Sequence, residues 1–266
     1  MLRATQSIIV MESNKIEKDW EYYGAENPYW AVLTEDKYKR ESLGADALAD
    51  FFSSGEQYVE KIWQVIEQNF TKDFKPERGL DFGCGVGRLT VPIAARCQTT
   101  VGVDISEKMM EEAERNCSKR NLKNVSFVKS DENLSKVTGE FDFVHSFIVL
   151  QHINPKIGEK IARRLIENLK TGGIGALHFT YKNPTSASQK LRFRLYRDFS
   201  PFYKLRNLVV GAKQEPLIPM HTYNLNRLMA ILHENDCHNC VLKFTNHGYY
   251  GVILFFQKKS DQFDLN

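Results

Sequence analysis

From Gly79 onward, short apolar runs alternate with stretches in which apolar residues return every third or fourth position. The runs at 79–83, 99–103, 124–129, 141–147 and 173–180 have the length of buried strands. The stretches between them, at 87–96, 106–120 and 155–170, repeat at helical spacing. Met109, Ala113 and Cys117 form one such stripe, and Ile157, Ile161, Leu165 and Leu169 another. Strand–helix alternation at this interval predicts an α/β fold, a parallel sheet with helices on both faces. Right-handed crossovers then bring the carboxyl ends of the strands to one edge, where a ligand belongs.

The rhythm changes at both ends of the chain. A further helical stripe spans 56–70, through Val59, Ile62, Trp63, Ile66 and Phe70. Ahead of it, residues 1–55 are polar and aromatic, with Trp20, Tyr22, Tyr23, Tyr29 and Trp30 clustered around Asn27 and Pro28. Residues 181–220 form a basic, aromatic insert. A helical pattern at 224–235 and two strand patterns at 240–245 and 249–257 close the chain. The turn Asn246-His247-Gly248 joins that last pair into an expected antiparallel hairpin at the sheet edge. The expected organisation is an aromatic N-terminal arm or lid over 1–55 and a main domain over 56–266 that carries the insert 181–220.

The candidate chemistry sits at the first strand. Gly79-Leu80-Asp81-Phe82-Gly83-Cys84-Gly85-Val86-Gly87-Arg88 reads as a strand, a glycine-rich turn and the start of a helix. Asp104 closes the next strand, 21 residues after Gly83. A turn at a helix start and an acid at the neighbouring strand tip make a nucleoside-binding corner. The spacing Gly-x-Gly-x-Gly, with Arg88 where a dinucleotide site needs its third glycine, argues against a pyrophosphate. No Gly-Lys-Ser/Thr follows, which excludes a P-loop. Asp81 places negative charge beside the turn and suits a ligand bearing an ammonium or sulfonium group.

At these residues the chain resembles the class I S-adenosylmethionine-dependent methyltransferases. Asp81 to Gly87 is similar to the family's first motif, and Val103-Asp104-Ile105-Ser106-x-x-Met109 to its second. Ser130-Asp131-Glu132 is similar to the adenine-binding turn. Phe141 to Ile153, which includes Ser146, Phe147, Ile148 and Gln151, is similar to the fourth strand and the loop beneath the methyl donor. Leu169 to Gly173 is similar to the turn into the fifth strand. The resemblance implies a Rossmann-like, seven-stranded, mostly parallel sheet with an antiparallel C-terminal strand. It implies S-adenosyl-L-methionine as cofactor, held by Asp81, Gly83, Cys84, Gly85, Gly87, Arg88, Asp104, Ile105, Met109, Ser130, Asp131, Glu132, Ser146, Phe147, Ile148 and Gln151. The turn amides and helix end would take the methionyl carboxylate. Asp104 would accept from the ribose hydroxyls, and Asp131 from the adenine amino group. Ile105 and Ile148 would sandwich the purine. Cys84 is expected to pack as a small buried residue, with no neighbour in sequence to lower its pKa.

The acceptor side is less defined by sequence. His152, His178 and Tyr181 follow strand ends on the ligand edge, and His221 and Tyr223 come from beyond the insert; the first three and His221 are the candidate catalytic groups. Tyr29 or Trp30 is expected near the pocket. Within 181–220, eight Lys or Arg stand against Asp198 and Glu215, in a chain whose net charge is only +3. Phe193, Leu195, Tyr196, Phe199, Phe202 and Tyr203 interleave with them. An amphipathic helical lid is the leading expectation for this insert, ahead of a site for an anionic acceptor such as a nucleotide-sugar, and ahead of contact with RNA or a membrane surface. The expected reaction is methyl transfer to oxygen or nitrogen of a small or medium-sized acceptor, with an anionic sugar or nucleotide-sugar among the candidates. The alternatives are an RNA or protein methyltransferase and an inactive cofactor-binding module. His233, Cys237, Cys240 and nearby His247 lack a complete ligand set, so no metal is expected. Five scattered cysteines fit a reduced, cytoplasmic setting, and no apolar run reaches the ~20 residues of a membrane span.

Overall fold

The computed structural model describes residues 2–198, 200–211 and 213–259, with backbone alone for 2–13, 198, 200, 202 and 210. Phe199 and the Phe202 side chain lie outside the described residues. Seven strands form one sheet in the order β3-β2-β1-β4-β5-β7-β6. They are β1 (Arg78–Phe82), β2 (Thr99–Asp104), β3 (Val125–Lys129), β4 (Phe141–Ser146), β5 (Leu169–Lys182), β6 (Asn239–Asn246) and β7 (Tyr250–Gln257). The first five run parallel, and β7 lies antiparallel between β5 and β6. The Rossmann-like sheet and its closing hairpin match the sequence expectation. The fifth strand starts earlier than expected: the helical pattern at 155–170 ends at Glu167, and Leu169 already pairs with Phe141.

Strand alternation sorts the core into two faces. Leu80, Phe82, Val103, Val144, Leu177 and Phe179 point to one. There they meet Ile161 and Leu165 of α6 (Pro155–Glu167) and Leu228 and Leu232 of α9 (Leu225–Glu234). Phe143, Ile174, Ala176 and Phe255 point the other way, against Val59, Ile62, Trp63 and Ile66 of α3 (Ala45–Asn69). The stripe expected at 56–70 therefore belongs to a longer helix that runs across residue 55 without a break. The connections after β1 and β2 are α4 (Thr90–Ala94) and α5 (Glu107–Lys119).

Residues expected as an arm fold as α1 (Leu2–Glu26) and α2 (Pro28–Val32). One carboxylate anchors α1. Glu21 accepts hydrogen bonds from the amides of Glu107 (2.6 Å) and Lys108 (3.1 Å) and from Ser106 Oγ (3.2 Å). It caps the first turn of α5, where amides lack helical partners and the macrodipole favours an anion. Gly24 permits the approach, since a Cβ there would sit 2.9 Å from Lys108 Cβ and from Ser106 Oγ. A second tie is Lys129, which bridges Glu17 and Glu107 at 2.8 and 3.0 Å. Behind α1, a third core joins Tyr23, Tyr29, Tyr38, Phe51 and Phe52 to Val86 and Met109. The insert folds as α7 (Ala187–Asp198) and α8 (Ser200–Val210), with the Tyr196 and Tyr203 rings 6.1 Å apart.

Replacing Glu21 by Ala leaves the start of α5 uncapped and α1 with one tie fewer. The expected loss is about 1–2 kcal/mol in urea denaturation. It should come with faster hydrogen exchange in α1 and unchanged exchange in β1 and β4.

Candidate functional site

The glycine turn is held by the end of β2. The amides of Gly83 and Cys84 both donate to the Val103 carbonyl, at 2.7 and 3.0 Å, and Gly85 N donates to Asp104 Oδ2 at 2.8 Å. Gly87 N donates to the Cys84 carbonyl at 2.9 Å. Four turn amides expected to bind a carboxylate are thus committed to the protein itself. The helix after them, α4, has five residues and starts only at Thr90, so its dipole adds little at the turn. What the turn supplies is space. Gly83 has φ +76°, and a Cβ there would lie 2.1 Å from Val149. Such a backbone favours glycine.

Asp104 sits at the strand tip with both oxygens oriented by backbone, Oδ2 by Gly85 N and Oδ1 by Ser106 N at 2.9 Å. Burial pushes its pKa up to about 6, against the lowering effect of those amides. Asp81 lies deeper. Its Oδ1 accepts from His145 Nδ1 at 2.9 Å and its Oδ2 from Thr90 Oγ1 at 2.6 Å. The His145 Nε2 then faces the Tyr58 hydroxyl at 3.3 Å, so that a buried polar chain runs from α4 to α3. Among sequence-expected site residues, Asp81, Gly83, Cys84, Gly85, Arg88, Asp104, Ile105, Met109, Ser130, Asp131, Glu132, Phe147 and Ile148 share one pocket of about 180 Å³. Ile105 and Ile148 bring apolar surface to it, and Asp131 and Glu132 bring carboxylates.

Several details differ from expectation. Arg88, 7% exposed, donates to Ser54 Oγ at 3.3 Å and has its Nε buried without a partner, so its guanidinium is tied to α3 as well as lining the pocket. Asp131 is engaged in its own turn, accepting from the amides of Asn133 and Ser135 and from the Ser135 hydroxyl. Burial raises its pKa, but these bonds outweigh that and hold the carboxyl below its usual range. Gly87, Ser146 and Gln151 stand behind the wall: Gly87 packs on Ala113, the Ser146 hydroxyl is buried without a partner, and Gln151 Oε1 accepts from Thr180 Oγ1 at 2.8 Å. Cys84 is a buried thiol with its pKa raised by desolvation, as expected of a packed residue.

Of the catalytic candidates, His152 and His221 line the pocket. His152 Nδ1 donates to the Pro219 carbonyl at 3.0 Å, which leaves Nε2 to accept from Gln151 Nε2 at 3.2 Å. Burial lowers its pKa to about 4, and the ring stays neutral at physiological pH. His178 and Tyr181 are elsewhere. The His178 ring bonds Thr245 Oγ1 at 2.8 Å and packs on Phe147 and His247, because its position on β5 turns it toward the hairpin strands. Tyr181, on the opposite face of β5, packs on Phe244 and Tyr250 of the hairpin strands. Tyr223 is a buried strut whose hydroxyl lies 2.7 Å from the Leu150 carbonyl and 2.9 Å from that of Ile153. Among the described residues, no group of three or more His, Cys, Asp or Glu side chains is placed to hold a metal.

The N-terminal side chains at the pocket come from an unforeseen register. Tyr29 is buried against Glu112 (2.5 Å) and Asn116 (3.0 Å), and Trp30 packs on Tyr23. Ile16, Trp20 and Val32 line the pocket instead, with Trp20 edge-on to His152 at 5.4 Å. Helix α1 also holds the insert: Tyr23 Oη donates to the Pro216 carbonyl at 2.7 Å and Lys15 Nζ to the Arg197 carbonyl at 3.0 Å.

A second cavity, about 940 Å³, adjoins the first. Lys190, Arg192, Arg194, Arg197 and Arg206 line it together with Phe193, Tyr196 and Tyr203. His221 lines both cavities.

Residues 80–173 match the family model described as "Methyltransferase domain". A 23S rRNA uracil-C5 methyltransferase of Marinomonas posidonica is 32% identical over 99 residues, 31% of this chain and 22% of the relative. The ubiquinone biosynthesis O-methyltransferase of Pelagibacter ubique is 34% identical over 100 residues, 34% of this chain and 41% of the relative. The chain thus spans less than half the length of either curated relative. The crystal structure of the magnesium protoporphyrin IX methyltransferase of Synechocystis superposes with a TM-score of 0.56 at 20% identity, over 87% of this chain and 93% of that one. Sheet order, glycine turn and strand-tip acid agree with that likeness in fold. Residues 80–173 thus carry the sequence pattern of a methyltransferase domain, in a chain with the Rossmann-like fold of the solved methyltransferase.

Proposed function

We propose that the chain transfers a methyl group from S-adenosyl-L-methionine to oxygen or nitrogen of a small anionic acceptor. One observation carries the reading: the pocket built by the glycine turn and Asp104 opens beside a cavity lined by five cations, with His221 on the wall between them. The residues present fit the cofactor. Asp104 has two oriented oxygens for a diol, Ile105 and Ile148 offer apolar faces for a purine, and the turn has no side chain at Gly83 to obstruct a close approach. The bound cofactor supplies an electrophilic sulfonium methyl. The protein's part is to aim the acceptor in line and to exclude water. Trp20, Ile16 and Val32 close the pocket from above. We read His152, neutral and doubly hydrogen-bonded, as part of the wall, and His221, which borders both cavities, as the base that takes the acceptor's proton.

The relative acting on uracil C5 raises the question of carbon methylation. Activating a ring carbon of that kind calls for a nucleophile, and Cys84, the cysteine lining the pocket, is held in its thiol form by burial. This supports heteroatom acceptors. Incubation of the protein and cofactor with fractionated cell metabolites, followed by mass spectrometry, tests the reading. Gain of one methylene on an anionic small molecule is expected; methylation confined to RNA or protein, or none on any fraction, defeats it.

Cofactor affinity should follow the ionisation of Asp104. The ligand-free group titrates near 6, and its charged form is the better acceptor for ribose hydroxyls. Calorimetry should show a dissociation constant that is flat above pH 7 and rises as pH falls through 6, by up to about tenfold per unit. Asp104→Asn should weaken binding at pH 8 and remove that inflection.

His221→Asn should lower kcat by about 100-fold, the usual scale of general-base catalysis, with the cofactor dissociation constant little changed. Acceptor KM should rise with ionic strength, and more steeply in wild type than in Arg192→Gln/Arg206→Gln, because the cations of the second cavity are screened by salt.

A further inference from the structure

Helices α7 and α8 are amphipathic in an unusual sense. Their side chains toward the second cavity are basic and aromatic: Arg192, Phe193, Tyr196, Arg197, Tyr203 and Arg206. Their opposite side is aliphatic and open. Leu191 is 61% exposed, Leu195 49%, Leu205 60%, Leu208 80% and Val209 77%. These positions fall at i and i+4 on α7 and at i, i+3 and i+4 on α8, so each helix carries a continuous stripe rather than scattered apolar residues. Of the eight large hydrophobic side chains most exposed among the described residues, five lie on this pair of helices. An apolar patch of this kind on a soluble domain marks a contact surface.

Charge decides what covers it. Residues 187–210 carry Lys190, Arg192, Arg194, Arg197, Lys204 and Arg206 against Asp198 alone. A second copy docking on the same patch would bring two such cationic sets together. A single-stranded nucleic acid would want exposed aromatic rings for stacking, and here Phe193, Tyr196 and Tyr203 face the cavity while aliphatics face out. Aliphatic side chains in a cationic frame fit an anionic lipid interface, where the leucines enter the acyl boundary and the long basic side chains reach the headgroups.

We propose that the α7–α8 pair docks the protein on the surface of an anionic lipid bilayer, with Leu191, Leu195, Leu205, Leu208 and Val209 as the inserted face. Since the same helices line the second cavity, its mouth then lies at the membrane surface. The proposal concerns a surface and stands apart from the catalytic reading, so its test needs no turnover.

Sedimentation with vesicles of phosphatidylcholine mixed with phosphatidylglycerol, against phosphatidylcholine alone, tests it. Wild type should partition onto the anionic vesicles at least about tenfold more strongly, and added salt should reduce the difference. Leu205→Ser/Leu208→Ser should lose about tenfold or more of that partition, with melting temperature and cofactor affinity unchanged because both side chains are exposed. Lys204→Glu, remote from the core, should weaken it in the same direction. Failure to bind either vesicle, or equal binding by wild type and the double variant, overturns the proposal. So does light scattering that shows a wild-type dimer dissociated by the same two substitutions. A gel shift with RNA that the double variant abolishes, without vesicle binding by wild type, overturns it as well.

Discussion

The carboxylate of Asp104 joins three pieces of chain that share no strand pairing of their own at that point. One oxygen holds Gly85 of the turn after β1, the other the Ser106 amide at the start of α5. The turn leans on the same strand end through the Val103 carbonyl. Because the sheet fixes β1 beside β2, these bonds fix the floor of the pocket before any ligand arrives. The cost is electrostatic: the acid is desolvated, and its pKa near 6 records that penalty. A carboxylate held this way is preorganised for a diol, as its oxygens need no reorientation on binding.

The roof depends on the same corner. Ser106 caps α5 from within, through the Met109 amide at 3.1 Å, and Glu21 of α1 caps it from outside. The first turn of α5 therefore serves as floor support and lid anchor together. With Glu21 fixed, Trp20 is carried over the pocket onto His152. The second cavity is built on different terms. It relies on two helices whose outward faces are aliphatic and whose inward faces are charged and aromatic, with little burial of their own.

Much of this was legible in sequence. The strands and crossover helices stand out because burial on both faces of a parallel sheet forces short apolar runs, and the turn because only glycine fits at Gly83. Thirteen of the sixteen residues expected at the cofactor come together around one pocket. The failures share a cause. His178 and Tyr181 lie on β5 near the ligand edge, yet side-chain direction alternates along a strand: His178 falls on the face of Ile174 and Ala176, Tyr181 on that of Leu177 and Phe179, and each packs on residues of the closing hairpin. Proximity to a strand end was visible in one dimension; orientation was not. The amides of the turn look free in sequence because their acceptors, Val103 and Asp104, belong to another strand. Trp20 lies over the pocket where Tyr29 or Trp30 was expected, because α1 is one unbroken helix docked on α5, a register that the sequence of the aromatic cluster does not reveal.

Helix α1 covers the first cavity with Ile16 and Trp20, and grips the insert at Pro216 and Arg197. One helix therefore serves both cavities, and a displacement of α1 would alter the wall of the first and the support of the second together. Access to the two is mechanically coupled through a single element rather than governed by separate loops.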